Sequence, residues 1–360
     1  MAKDNKKGLS INKGVEQPSS LHLSSVKKGT YNKASDIPIE TYMDGIVRGD
    51  RTILGRAITL VESALPEHQH IAQQIVEKCL PLSGNSMRLG ITGIPGVGKS
   101  TFIEAFGIQL IETGRKVAVL AVDPSSDRSK GSILGDKTRM QKLAVNEHSF
   151  IRPSPSAGTL GGVARKTRES ILLCEAAGYD TIFIETVGVG QSETAVHSMV
   201  DLFLLLMLPG AGDELQGIKR GIMEMADLIV INKADDNRIE KVKIAQQELL
   251  NALHLFPATE STWIPRVEYC SSLNNNRLDL VWEHILAYHT HTHENQYFFM
   301  KRKNQAKYWL YETINAELKN QFYQDNKIKS SILNYEEQVL KNEISPFVAA
   351  KQLMEKYRND

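Results

Sequence analysis

Cysteine is scarce in this chain of 360 residues: Cys79, Cys174 and Cys270 stand far apart, and none is in a Cys-x-x-Cys pair. That excludes a disulfide framework and a thiolate zinc knuckle, and it points to buried, inert thiols in a reducing cytoplasm. No apolar run nears the roughly 20 residues of a membrane-spanning helix. An excess of one charge is missing too: 43 Lys and Arg face 42 Asp and Glu, a net charge of +1. Neither nucleic acid nor a membrane surface is therefore expected as a partner. Arginine is absent before Arg48, although Lys3, Lys6, Lys7, Lys13, Lys27, Lys28 and Lys33 crowd the start. That argues against an amphipathic, arginine-rich transit peptide, and residues 1–35 read rather as a disordered polar tail. From Asn275 to the end glycine is missing, which favours long unbroken helices.

What is present centres on Gly93-Ile94-Pro95-Gly96-Val97-Gly98-Lys99-Ser100-Thr101. It fits G-x-x-x-x-G-K-[ST], the phosphate-binding P-loop. An apolar run, Met87 to Thr92, precedes it as a strand, and Phe102, Ile103, Phe106 and Leu110 follow at helical spacing. The glycines let backbone N–H groups face phosphate oxygens at a helix N-terminus. Lys99 is placed to reach the outer phosphates and Ser100 to ligate Mg²⁺. A nucleoside triphosphate is the expected ligand.

Asn232-Lys233-Ala234-Asp235 follows the strand 227–231. Downstream of a P-loop this order reads guanine: the Asp carboxylate accepts from N1–H and the exocyclic amine. Adenine carries an acceptor at N1 and leaves the carboxylate unpaired, a mismatch able to reject an analogue by roughly 10⁴-fold. Ser271-Ser272-Leu273 ends the next strand and resembles the last guanine-contacting element of GTPases. The expected ligands are GTP and GDP with Mg²⁺.

Glu185-Thr186-Val187-Gly188 resembles the Asp-x-x-Gly switch with Glu in place of Asp. Its carboxylate suits Mg²⁺, and the Gly188 N–H suits sensing of the γ-phosphate. Val189 stands where Ras-like proteins carry a water-orienting Gln, so slow intrinsic hydrolysis is expected. Asp123 and Asp136 are further carboxylates for the metal or the attacking water. The glycine-rich loop 209–219 places Lys219 near the nucleotide or a partner. His289, His291 and His293 alternate without a matching Cys or acidic ligand and read as a solvated segment.

Strands at 87–92, 116–122, 150–151, 181–185, 202–208, 228–231 and 267–270 alternate with helical patterns. The expected fold is α/β, a P-loop NTPase with a mostly parallel sheet flanked by helices, plus N-terminal and C-terminal helical extensions. The boundaries are a tail 1–35, a helical segment 36–82 broken at Leu65-Pro66, a nucleotide domain 83–288 and a C-terminal helical arm 289–360. It carries Tyr297, Phe298, Phe299, Tyr308, Trp309 and Tyr311, an aromatic-rich run that suits either a helical cap on the core or an oligomerisation arm.

Taken together the motifs resemble MeaB/ArgK-type GTPases, relatives of the methylmalonic aciduria type A protein. The resemblance rests on the runs 93–101, 122–126, 132–140, 185–193, 212–221 and 232–235, with Gly49-Asp50-Arg51 and residues 56–62 before them. It implies a GTP-hydrolysing chaperone of an adenosylcobalamin-dependent acyl-CoA mutase of the methylmalonyl-CoA type, gating cofactor loading and protecting the enzyme. It also implies a homodimer formed through the C-terminal helices, a magnesium site at Asp123, Asp136 and Glu185, and a third switch in 209–219 with Lys219 as its key residue. Three other readings fit parts of the pattern: a nickel-delivery metallochaperone GTPase, a kinase linked to basic amino-acid transport, and a scaffold that binds GTP without hydrolysing it.

Overall fold

The computed structural model describes residues 34–122, 140–153, 160–186, 192–210, 220–235 and 238–358. Seven parallel strands form one sheet: β1 Met87–Gly93, β2 Val117–Val122, β3 Ser149–Arg152, β4 Thr181–Thr186, β5 Leu202–Met207, β6 Leu228–Ile231 and β7 Arg266–Tyr269. Their order is β3-β2-β4-β1-β5-β6-β7. Register is fixed by pairs such as Ile91 with Glu185 and Leu89 with Leu202. The α/β P-loop fold read from the sequence is the one observed.

Both faces of the sheet are covered, because successive strand residues point to opposite sides. Ile182, Ile184, Phe203, Leu205, Ile229 and Ile231 face one core. There they meet α1 (Ile39–Val47), α2 (Arg51–Glu62), α3 (Pro66–Cys79), α6 (Leu160–Ala176), α7 (Ser192–His197) and α9 (Ile239–Leu253). Leu89, Ile91, Phe183, Leu204, Leu206 and Val230 face the other, against α4 (Lys99–Glu112), α5 (Gln141–Val145) and α10 (Leu278–Glu294). A short α8 (Arg220–Glu224) precedes β6. Strands buried on both faces are mostly apolar, which is why the inner ones were legible as short hydrophobic runs.

The N-terminal helices break where the chain chemistry demands. Gly49 takes a left-handed φ of 74° after α1, and the Asp50 carboxylate accepts from the Thr52 and Ile53 N–H groups to cap α2. Pro66 opens α3 at its first turn.

Beyond the sheet run α11 (Tyr297–Gln324), α12 (Asn326–Leu340) and α13 (Pro346–Arg358). The start of α11 docks onto the foot of the sheet. Arg302 pairs with Asp201 at 2.7 Å and stacks over Phe298, Gln305 donates to the Val200 carbonyl, and the Trp309 indole donates to the Ser198 carbonyl. The histidine run departs from its solvated reading. It lies on the last turns of α10, where His293 stacks on Phe298 (4.0 Å between centroids) and His291 meets the Ser261 carbonyl. The α10–α11 corner folds aromatic rings back over it, a long-range event that local polarity does not signal.

Candidate functional site

Parallel sheets bind ligands beyond the carboxyl ends of their strands, where the order switches direction. Here β1 leads to β2 on one side while β4 leads to β5 on the other, and the loop 94–98 leaves β1 at that point. Gly93 sits so close to its neighbour that an added Cβ would lie 2.6 Å from the Leu206 carbonyl oxygen. Gly98 takes φ 93°, and a Cβ there would lie 2.9 Å from the Asn232 amide nitrogen. Chain direction and close approach both require glycine. Lys99 opens α4, and its ammonium donates to the Gly93 carbonyl at 2.8 Å. Burial lowers the Lys99 pKa, and the charges of Glu185 and Glu193 oppose that fall.

The Asn-Lys-x-Asp segment leaves β6 two strands away and laces onto this loop. Asn232, almost fully buried, donates to the Val97 carbonyl at 3.0 Å, and Lys233 donates to the Gly96 carbonyl at 2.8 Å. Lys233 itself takes φ 59°, which turns the chain so that the Ala234 N–H donates to the Cys270 carbonyl. The Asn232 side-chain oxygen accepts from the Ser272 hydroxyl at 2.7 Å, and the Asp235 carboxylate accepts from the Ser271 hydroxyl at 2.7 Å. The three runs 93–101, 232–235 and 271–272 thus form one hydrogen-bonded unit. The Leu273 side chain is exposed. Behind the unit, Arg277 holds Glu268 at 2.7 Å and stacks over Tyr269, fixing the turn closed by Ser271 and Asn276.

A cavity of about 590 Å³ extends from Thr101 on α4 past Ser272 to Asn275 and Arg277. Glu104, Glu112 and Asp279 also line it, so this cavity adjoins the phosphate loop at Thr101 without being the phosphate site itself. Glu185 is buried one residue before the end of β4, and the hydroxyl of the last residue, Thr186, donates to Thr92 on β1 at 2.8 Å. Ser100 and Glu185 are hard oxygen donors at the loop's mouth, a donor set that fits Mg²⁺. Asp123, Asp136, Gly188 and Lys219 lie outside the described residues, as does the tail 1–33.

Glu193 was not singled out from the sequence. It is buried in the first turn of α7, and its charge reaches Lys99. Its eight-residue separation from Glu185 hides the convergence, which depends on α7 folding back beside β1. All three cysteines are buried; burial pushes the Cys79 thiol up to about 11 and the Cys270 thiol to about 12. Thiols so protonated are poor nucleophiles and metal ligands.

A parallel P-loop sheet with a guanine-reading segment bound to its phosphate loop defines a P-loop GTPase. The family model described as methylmalonyl Co-A mutase-associated GTPase MeaB matches residues 54–327, and the chain belongs to that family. A putative GTPase of Caulobacter vibrioides is 48% identical over 88% of this chain and 97% of its own. The mitochondrial methylmalonic aciduria type A homolog of Mus musculus is 43% identical over 89% of this chain and 80% of its own. A crystal structure titled as a LAO/AO transport system kinase superposes with a TM-score of 0.70 at 40% identity, covering 91% of this chain and 99% of that one.

Proposed function

We propose that this GTPase serves as a chaperone of an adenosylcobalamin-dependent acyl-CoA mutase of the methylmalonyl-CoA type, its loops changing with nucleotide state. The observation that supports it most is the direct lacing of the guanine-reading segment to the phosphate loop, through Asn232 and Lys233. Base and phosphates then bind one rigid unit, leaving the remaining loops free to respond to the γ-phosphate. In this reading Lys99 and the N–H groups of 94–101 hold the phosphates, and Asp235 with Ser271 and Ser272 holds guanine. Ser100, Glu185, Asp123 and Asp136 would hold Mg²⁺, which would neutralise charge on the outer phosphates. Gly188 senses the γ-phosphate and Lys219 carries the change to the client. A partner responds only if it binds the two loop arrangements unequally.

We place the protein in the cytoplasm, as three buried unpaired thiols favour. Among the described residues no helix is long and apolar enough to cross a membrane. We also assign a homodimer to the arm. Leu310, Ile314 and Leu318 recur every four residues on α11 and remain exposed, an apolar stripe that none of the described residues covers.

The test adds methylmalonyl-CoA mutase to the purified chain and follows phosphate release. Turnover should rise, and Lys219→Ala should remove the rise while leaving GTP affinity within about twofold. Full stimulation in that variant would take Lys219 out of the mechanism. The kinase title of the solved relative is answered by the same assay, since phosphate released to water is not phosphate transferred to an acceptor.

A further inference from the structure

A second cavity, about 370 Å³, lies away from the nucleotide loop, between α2 and the sheet edge at β3. Three strand spacings separate β3 from β1, roughly 14 Å. Three arginines line it: Arg51 and Arg56 from α2, and Arg152 from β3. Arg51 is held by the Asn146 and Ala144 carbonyls, at 2.9 and 3.2 Å. Arg152 pairs with Glu62 and donates to the Thr59 hydroxyl at 3.2 Å. Arg56 is half-buried and, among the described residues, makes neither a hydrogen bond nor an ion pair. The described lining contains no carboxylate; Glu62 behind it offsets the Arg152 charge through both oxygens, so Arg51 and Arg56 carry the net positive charge of the space.

A guanidinium drawn half out of water without a partner is costly, and an anion offsets that cost. We propose that this cavity binds a small phosphomonoester. A lone carboxylate has two oxygens and is satisfied by one guanidinium fork. Arg56, flanked by the N–H groups that Arg51 and Arg152 do not spend on the Asn146 and Ala144 carbonyls and on Glu62, suits the three terminal oxygens of a phosphate. The hydroxyl of Thr52 adds a further donor at the rim, and Ala144, Phe150 and Ile151 form an apolar wall for a short organic body. The volume is at the small end of ligand cavities, roughly 300–1,000 Å³, which selects a free metabolite over a macromolecular segment. The bound phosphate would join α2 to β3 and to the turn after α5, through residues that take no part in the nucleotide site.

The experiment titrates glycerol 3-phosphate into the full chain by calorimetry. The chain is first saturated with a non-hydrolysable GTP analogue and Mg²⁺, so that the P-loop phosphate positions are filled. One saturable site is expected, with succinate binding at least about tenfold more weakly. Arg56→Gln should weaken glycerol 3-phosphate at least about tenfold, with GTP-analogue affinity unchanged. Arg56→Lys, which keeps the charge but not the fork, should fall between. No saturable binding, equal binding of succinate, or unchanged binding by Arg56→Gln would each overturn the proposal. Should Arg56→Gln fail to fold, Thr52→Val carries the test: severalfold weakening is expected, and unchanged affinity would overturn it.

Discussion

Gly98 is the residue at which the phosphate loop and the guanine-reading segment touch. Its φ of 93° costs an alanine on the order of 1–3 kcal/mol, and the added carbon would press on the Asn232 amide. Gly98→Ala should therefore weaken GTP at least about tenfold by titration, while the melting temperature falls only slightly. An unchanged affinity would mean that this contact is not needed for the bound state. Residues inside contiguous motifs could be read from the sequence because the chain itself sets their spacing. Asn232 was named as part of a motif, but its double role as donor to Val97 and acceptor from Ser272 required three loops to meet. Glu193 was missed for the same reason: only the return of α7 brings its charge to Lys99.

At the scale of elements, all seven strands were legible: the inner five are buried on both faces and have little freedom to be polar, while the edge strands β3 and β7 showed only as short runs around Phe150 and Val267. The break between α1 and α2 was not drawn, because a single Gly-Asp step inside an otherwise periodic stretch gives a weak local signal. The arm was legible as helix, while its docking onto the core stood only as one of two readings, for its anchors are single residues. One of its contacts makes a testable element. His197 closes α7, packs edge-on against Phe203, and burial together with the Lys301 charge holds its pKa down at about 4. The folded state therefore disfavours the charged imidazole. The contribution is complete above the unfolded value near 6.5 and is lost as pH falls through 6.5 toward 4. Denaturation melts across that window should show a loss on the order of 2 kcal/mol. His197→Gln should flatten the profile, whereas an identical slope in the variant would assign the loss to other groups.

The whole molecule joins a nucleotide unit at one end of the sheet to an arm at its foot, and α7 and the turn after it link the two. A stripe on that arm, uncovered among the described residues, is the basis for the proposed dimer. Light scattering should give twice the mass of 40.2 kDa for the native chain. Leu310→Glu with Leu318→Glu should give a monomer that still binds GTP, and a native monomer would dismiss the assignment. Client choice was legible only through resemblance, because no spacing of residues encodes which enzyme an exposed loop meets. Every nucleotide-dependent step depends first on a pocket that tells guanine from adenine. Competition between GTP and ATP for the purified chain, in native form and with Asp235→Asn, tests that most directly. A GTP preference of about 10³-fold or more that shrinks in the variant is the expected result. Equal binding of the two nucleotides, or a preference untouched by Asp235→Asn, would contradict it.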